Sequence, residues 1–186
     1  MAVVNSYKTQ GIILKRVNFG EADRIITLYT KRFGKITLIA KGIRKMTSRK
    51  RGSLEIFNLV DFFAARGKTL DIITEVETIN TFQNWRKNLN KVGIAYEMAE
   101  MVDRLTVERN EQEEVFDLLS SFLEKLESVD NKNLKIFLNS FGQSLIKILG
   151  FWPRDKAFSS NFNTVAFIEQ IAERELKSKK ITGKLG

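Results

Sequence analysis

Apolar residues follow a two-residue period through much of the first 80 positions, which is the pattern of β-strands. The clearest example spans residues 35–40, where Ile36, Leu38 and Ala40 share one face. Turn signals separate the apolar runs, and the pattern predicts five strands, at residues 7–17, 24–30, 35–40, 54–64 and 70–77. Because no helical pattern lies between them, we expect a small closed or nearly closed barrel, which leaves no long exposed edge.

After position 80 the apolar period lengthens to three or four residues, as in amphipathic helices. Helices are predicted over residues 92–105, 115–126 and 134–149, with a short final helix over 167–176. Asn110 followed by Glu113 resembles a capping box, and Gly150 suits a left-handed helix C-terminus. The chain is therefore predicted to be α+β, with a barrel domain at 1–80 and an α-helical domain at 81–186.

Positive charge is concentrated in the first half of the chain. The net charge is +9, and residues 1–80 contain 15 Lys or Arg against 7 Asp or Glu, whereas residues 81–186 contain 16 against 15. Residues 31–51 hold nine cations and no acid, and 41–51 have the composition of a loop. Such a loop favours a phosphodiester backbone as partner, because charge neutralisation and counterion release supply affinity without sequence reading.

Two other interpretations of this basic stretch remain open. A solvated surface, or a face for an acidic protein, would have the same composition. An anionic membrane is disfavoured, because no amphipathic helix with large apolar residues accompanies the charge. We therefore expect a nucleic-acid partner and no membrane partner.

The sequence contains no histidine and no cysteine. This removes the commonest general base, every thiol nucleophile and the usual zinc ligands. We expect no catalytic residue, no metal site, no cofactor and no enzymatic activity. The first residues lack the charged start and apolar stretch of a secretory signal, and no apolar run approaches the roughly 18 residues of a membrane span. We expect a cytoplasmic protein.

Several short segments resemble one known family, the RecO DNA repair proteins. They are GEADR at 20–24, TKRFGK at 30–35, AKGIR at 40–44, GSLE at 52–55 with Phe57, the residues Tyr96 and Glu97, VDRL at 102–105 and ERELKSKKI at 173–181. The resemblance covers most of the chain and is densest over residues 7–80. Family members often carry a four-cysteine zinc knuckle after the third long helix. Here Gly150–Pro153 resembles its lead-in, but residues 154–164 contain no cysteine, so the resemblance implies that the zinc module is deleted.

The resemblance implies an N-terminal OB-fold barrel followed by an α-helical domain. It also implies binding of single- and double-stranded DNA, annealing of complementary strands, and loading of the RecA recombinase in the RecF pathway. The implied protein partners are RecR and the C-terminal tail of the single-stranded-DNA-binding protein (SSB).

Candidate DNA-binding residues are the cations of the basic stretch and its surroundings. The first group comprises Lys35, Lys41, Arg44, Lys45, Arg49, Lys50 and Arg51, and the second comprises Arg16, Arg24 and Arg66. Arg24 has an alternative role, in which it pairs with Glu21 or Asp23 to fix the turn. Candidate stacking aromatics are Tyr7, Phe19, Tyr29 and Phe33, for each of which core packing is the competing interpretation, and Phe19 is the candidate most suited to exposure.

The alternative function is that of a protein-interaction adaptor. In that interpretation the helical domain binds an acidic-apolar peptide such as the SSB tail, in an apolar pocket rimmed by cations. Arg104, Lys135 and Lys147 are the candidate rim residues, and ordinary surface charge is the competing explanation for all three.

Overall fold

The chain forms two compact units, each described here by itself. The computed structural model describes residues 6–48 and 50–173. The first unit contains the described residues up to Thr81 together with Val107–Phe116, and the second contains Phe82–Thr106 and the described residues from Asp117 onward. Residues 107–116, which we name the strap, lie with the barrel although they follow the first long helix in sequence. No helix within these described ranges is long and apolar enough to cross a bilayer.

Five strands close the first unit into a barrel. They are β1 (Ser6–Phe19), β2 (Asp23–Thr30), β3 (Gly34–Ala40), β4 (Leu59–Ala65) and β5 (Asp71–Asn80). The order around the barrel is β1-β2-β3-β5-β4, and all pairs are antiparallel except β3 with β5. This is the strand order of the OB fold, a small five-stranded Greek-key barrel. The predicted α+β class, with an OB barrel before helices, is confirmed.

The alternating side chains of the strands fill the barrel interior. Ile36, Leu38 and Ala40, which the two-residue period placed on one face, are all fully buried. They pack with Leu28 and Phe62 from the neighbouring strands in one core cluster. Full burial of an aliphatic or aromatic side chain contributes about 1.5–3 kcal/mol, so this cluster is the main source of the barrel's stability.

The fourth strand begins later than the sequence predicts. It starts at Leu59, so the prediction of a strand from residue 54 is wrong. Phe57 adopts a left-handed backbone conformation, with φ of 72°, and Leu54 is buried within the barrel core. The side-chain amide of Asn58 donates to two carbonyls of the preceding turn, at 3.0 Å each. A run of apolar residues that serve as plugs in an irregular loop is indistinguishable from a buried strand by periodicity.

The strap covers a part of β3 that β5 leaves unpaired. The β3–β5 pairing includes only Leu38 and Ile39 of β3. Along the earlier part of that strand, the backbone N–H of Arg109 donates to the carbonyl of Lys35 at 2.8 Å. The Glu108 carboxylate accepts the backbone N–H of Thr37 at 2.7 Å. Exposed strand edges are prone to unwanted pairing, so the strap both satisfies and shields this one.

Four helices lie wholly or mostly in the second unit. They are α1 (Leu89–Leu105), α2 (Glu113–Lys125), α3 (Leu134–Ile148) and α4 (Thr164–Ile171), and short 3-10 turns occur at Asn84–Lys87, Leu126–Ser128 and Asn131–Asn133. The first three predicted helices are confirmed, although α2 begins before residue 115. The predicted final helix overlaps α4, and its residues beyond 173 lie outside the described ranges. Phe141, Leu145 and Ile168 are among the fully buried side chains.

Two predicted helix ends have different outcomes. Gly150 adopts a left-handed conformation, with φ of 80°, directly after α3, as predicted. The N–H of Phe151 donates to the carbonyl of Ile146 at 2.9 Å, which is the long hydrogen bond of a Schellman motif. The capping box at Asn110 is wrong, because α2 begins only at Glu113. Asn110 instead belongs to the strap.

Gly34 provides a test of how strongly the strap contributes to the barrel. Its φ is +62°, and a Cβ at this position would lie 1.9 Å from the carbonyl oxygen of Asn110. We expect Gly34→Ala to lower the free energy of unfolding by about 2–3 kcal/mol, because left-handed strain and displacement of the strap add together. Urea denaturation provides the measurement.

Two glycines serve as matched controls. Gly20 is also left-handed but has open space around it, so Gly20→Ala should cost only about 1 kcal/mol. Gly52 has neither constraint, and Gly52→Ala should change stability by less than about 0.5 kcal/mol. Equal losses for the Gly34 and Gly20 variants would show that the strap contact contributes nothing.

Candidate nucleic-acid interface

The basic loop, residues 41–51, is fastened to the barrel at its base. Ile43 is fully buried in the barrel core, as is Leu54 just beyond the loop. The N–H of Gly42 donates to the Asp23 carboxylate at 2.7 Å, and the N–H of Arg44 donates to the carbonyl of the adjoining β1–β2 turn at 2.9 Å. The base of the loop therefore has a defined position at the barrel rim.

Four arginines lie near one another beside this loop, and two of them share a single carboxylate. Arg16 pairs with Glu55 through its Nη1. The Nη1 of Arg24 lies 3.9 Å from the same carboxylate, and its Nε donates to the side-chain oxygen of Asn18 at 3.1 Å. The side chain of Arg44 donates from Nη1 to the carbonyl of Gly20, in the same β1–β2 turn, at 3.1 Å. Together with Arg51 these residues form what we name the arginine cluster: Arg16, Arg24, Arg44, Arg51 and Glu55.

The arginine cluster carries more positive charge than its own acid can neutralise. Burial lowers the pKa of the Arg24 guanidinium, and repulsion from Arg16, Arg51 and Arg44 lowers it further, whereas Glu55 acts in the opposite direction. Like charges held this close repel each other, so an anion placed among them is favoured. Guanidinium groups also match the geometry of phosphate oxygens.

The structure brings most of the predicted loop cations to this rim. Lys41, Arg44, Lys45 and Arg51 are exposed. Lys50 is half-buried, and its ammonium donates to the carbonyl of Ile73 at 3.2 Å. Arg49 lies outside the described residues.

The alternative role proposed for Arg24 is not observed. Its polar contacts are with Asn18 and Glu55 rather than with Glu21 or Asp23. The Asp23 carboxylate instead accepts the backbone N–H of Gly42.

Two of the predicted residues lie elsewhere on the barrel. Lys35 lies near the start of β3. It is six positions before Lys41, which corresponds to about 20 Å along a strand. Its carbonyl accepts the backbone N–H of Arg109 from the strap. Arg66 follows β4 and lies 3.4 Å from the Asp71 carboxylate. The basic stretch at residues 31–51 thus contributes cations to more than one place on the barrel, and Arg66 comes from a separate turn.

The candidate aromatics differ in their availability for stacking. Phe19 is 52% exposed at the end of β1, beside the arginine cluster. Tyr29 is fully buried, its hydroxyl donates to the carbonyl of Gln112 at 3.2 Å, and burial raises its pKa to about 12. Tyr29 is therefore a core residue. Tyr7 and Phe33 are half-buried and meet edge to face, with ring centroids 4.8 Å apart.

A second charged cluster was missed in the sequence. The Asp71 carboxylate is almost fully buried, and its Oδ2 accepts from Tyr7 Oη at 2.9 Å, Arg109 Nη2 at 2.9 Å and Arg66 Nη1 at 3.4 Å. Its Oδ1 accepts the backbone N–H of Gly67 at 3.1 Å. Arg109 lies in the strap, so no local pattern linked it to the barrel. In the sequence, this cluster was marked only by Asp71 itself, an isolated acid at the start of a strand that follows the basic turn at residues 66–68.

The candidate peptide-binding cations of the second unit are not gathered at one point. Arg104 is paired with Glu100 on the same helix, at 2.7 Å. Lys135 and Lys147 are twelve positions apart on α3, or about 18 Å along the helix. Lys147 donates to a backbone carbonyl at 3.1 Å, and its ammonium lies 5.1 Å from the ring centroid of Phe158. A ligand would have to be extended to reach both lysines.

An aromatic cluster occupies the segment where the resemblance placed the lead-in to a zinc module. The Trp152 ring stacks on Phe158 at 4.9 Å and contacts Phe162 at 5.0 Å and Phe167 at 5.9 Å. Within the described parts of the chain, no group of three or more acidic, histidine or cysteine side chains is arranged to hold a metal ion.

The closed barrel, its cationic rim and the helices that follow define an OB-fold protein with an appended helical unit. Sequence comparison agrees with this assignment. Residues 1–82 match the model of the recombination protein O N-terminal domain, and residues 86–156 match that of its C-terminal domain. The chain therefore belongs to the recombination protein O (RecO) family.

Curated relatives carry the name DNA repair protein RecO. The chain is 38% identical to the protein from Rubrobacter xylanophilus over 148 residues, which are 80% of this chain and 59% of the relative. It is 36% identical to that from Pelotomaculum thermopropionicum, over 79% of this chain and 56% of the relative. For Trichodesmium erythraeum the identity is 34%, over 70% and 46%. The chain spans about half the length of the curated relatives it matches.

Asp71 gives a prediction for stability and its pH dependence. Burial alone would raise its pKa, but hydrogen bonds from Arg109, the Gly67 N–H and Tyr7 outweigh burial and hold the pKa below its ordinary value. The stabilisation is therefore complete above the unfolded-state pKa of about 3.9 and is lost as the pH falls through the lower folded-state value. Asp71→Asn should cost about 2–4 kcal/mol at pH 7, because two arginines lose their counter-charge.

Urea denaturation of both proteins between pH 7 and pH 3 measures this effect, and the difference between them should shrink as the pH falls. Asp61→Asn is the control, since Asp61 forms a surface pair with Lys8 at 2.8 Å. Its loss should cost less than about 1 kcal/mol. Similar losses for the two variants would contradict a special role for Asp71.

Proposed function

We propose that this chain is a DNA-binding protein of recombinational repair, which binds single- and double-stranded DNA at the rim formed by the arginine cluster and the basic loop. One observation carries the proposal: Arg16 and Arg24 share Glu55 at that rim, and Arg44 and Arg51 lie close enough to repel Arg24. A polyanion relieves their mutual repulsion, and phosphodiester oxygens are the acceptors that guanidinium groups bind best. Membership of the RecO family supports the same assignment.

Binding is driven by charge rather than by reading of base sequence. Lys41, Lys45 and Arg51 are exposed, so their charged groups can reach successive phosphates. Neutralising about five phosphates corresponds to a slope of log K against log[salt] near −3.5 on single strands. Phe19, exposed beside the arginine cluster, offers a face on which an unpaired base can stack.

The same rim accounts for strand annealing. Two complementary strands repel each other through their phosphates, and a surface that neutralises both lowers this barrier to pairing. We further propose that the protein assists loading of the RecA recombinase, with RecR and the SSB tail as partners, in the cytoplasm. These finer roles rest on family membership and on the repair function in the relatives' names.

The proposed function includes no catalytic step. The sequence has no histidine or cysteine to act as base or nucleophile, and binding and annealing need neither. No cofactor or metal is part of this proposal.

Charge reversal within the basic loop tests the proposed interface. K45E/R51E should weaken binding of a labelled ~30-mer single strand by about 30- to 100-fold at low salt, because two phosphate contacts become repulsions. The matched control is K87E/K132E, which changes two exposed lysines of the second unit and lowers net charge equally. Fluorescence anisotropy at two salt concentrations provides the measurement. Equal weakening by both variants would place the affinity in net charge rather than at the rim.

The adaptor function is the second candidate, favoured by the half-buried aromatic cluster beside Lys147. Rings with a neighbouring cation suit an acidic peptide with apolar residues. An isolated SSB tail peptide, labelled for anisotropy, should then bind the full chain, and K135A/K147A should weaken it about 10-fold while leaving DNA affinity unchanged. Peptide binding that is insensitive to both lysines would contradict this assignment.

A further inference from the structure

Two guanidinium groups converge on one carboxylate oxygen in the Asp71 cluster, which consists of Tyr7, Arg66, Asp71 and Arg109. Arg109 Nη2 lies 2.9 Å from Asp71 Oδ2, and Arg66 Nη1 lies 3.4 Å from the same atom. The two arginines come from distant parts of the chain, one from the β4–β5 turn and one from the strap. Their shared acceptor makes them neighbours at the barrel surface.

The Asp71 carboxylate cannot use all the donors around it. Its Oδ2 already accepts the Tyr7 hydroxyl at 2.9 Å, which makes Arg66 the third and most distant donor. Each arginine has five N–H groups, and the side chains of Arg66 and Arg109 are 43% and 45% exposed. Both therefore keep N–H groups directed at solvent while the buried acid fixes their positions.

The charges around the cluster leave room for an anion. Glu108 is a further acid that acts electrostatically on Arg109. Its carboxylate is already engaged by the backbone N–H and the hydroxyl of Thr37, at 2.7 and 3.4 Å. Arg32, which is exposed in the β2–β3 hairpin, adds positive charge.

An aromatic ring lies directly beside Arg66. The guanidinium of Arg66 lies 4.8 Å from the centroid of the Tyr7 ring, and Phe33 meets that ring edge-on. On Phe33 the guanidinium of Arg32 lies 5.9 Å from the ring centroid, and Arg32 is exposed, so it can yield its place to a base. Cations for the backbone and a ring for the base are the two parts of a single-strand site.

This cluster is distinct from the rim of the basic loop. Tyr7 and Arg16 are nine positions apart on β1, which is at most about 30 Å along the strand. OB barrels use the β4–β5 loop as one of their ligand-binding loops, and one barrel accommodates roughly 4–16 nucleotides. One strand is therefore long enough to reach both places.

We propose that Arg66 and Arg109, held by Asp71, form a phosphodiester clamp that binds a single strand with an unpaired base on Phe33. The clamp rests on the proposed DNA-binding function and adds a second contact to it. A duplex can offer the phosphate but not the base, so the clamp makes the barrel prefer single strands. Asp71 acts as a positioning residue, and the Tyr7 hydroxyl donates a hydrogen bond to it.

Arg66 gives the cleanest test, because its bond to Asp71 is the longest and the strap does not depend on it. In full-length protein, R66A should weaken binding of a labelled ~30-mer single strand about 5- to 10-fold and reduce the salt slope by about 0.7. R66K should keep the slope but bind about 3-fold more weakly, since an ammonium lacks the planar fork. The control is K68A, which removes an exposed cation from the same turn and should change affinity less than 2-fold.

Phe33→Leu tests the base contact. It should weaken single-strand binding about 5- to 10-fold and leave binding of a duplex of the same length within 2-fold. Urea denaturation of each variant reports any loss of fold separately from loss of binding. Equal effects of R66A and K68A, or equal effects of Phe33→Leu on both DNA forms, would overturn the clamp.

The clamp and the proposed function fail in different ways. If the unmodified protein binds neither DNA form at low salt, the DNA-binding function fails and the clamp fails with it. If the unmodified protein binds and K45E/R51E abolishes binding while R66A behaves like K68A, only the clamp is wrong.

Discussion

The barrel is closed by a parallel pairing of only two residue pairs, Leu38 with Asp71 and Ile39 with Ile72. Two residue pairs form a short backbone contact, and hydrogen bonds to the side chain of Asp71 add to it. Its buried carboxylate fastens the start of β5 to the first residues of β1 through Tyr7 and to the strap through Arg109. A charge buried this deeply is stable only while it has partners, so the closure of the barrel and the position of the strap both depend on Asp71.

At the rim of the basic loop, buried residues likewise hold surface charges in position. Repulsion among four arginines held close together opposes folding, whereas burial of Ile43 within the loop and of Leu54 just beyond it favours folding. Both side chains are fully buried in the barrel core, so the chain is fixed to the barrel at these two positions. Repulsion that would otherwise disperse the cations is thereby retained in the folded state, where a polyanion can relieve it.

The sequence predicts what depends on neighbouring residues and misses what depends on distant ones. Alternation in β3 and the three- or four-residue period of α1 and α3 are local, so these elements were found. The late start of β4 was missed because Leu54 and Phe57 are apolar for a different reason, as plugs of an irregular loop. At the candidate interface, the exposed loop cations were predicted from composition. Arg109 of the Asp71 cluster was not predicted, because only tertiary structure brings the strap to Asp71.

The path of the strap constrains the order in which the chain can fold. The backbone leaves the barrel at the end of β5, forms α1, and returns to cover β3 before it enters α2. During synthesis, which proceeds from the N-terminus, all five strands emerge before the segment that protects the edge of β3. Until residue 116 has been added, a nascent barrel carries an open strand edge, and a fragment cut at residue 80 would carry it permanently. The first unit is thus not contiguous in sequence, and a boundary drawn after the last strand would separate the barrel from a part of itself.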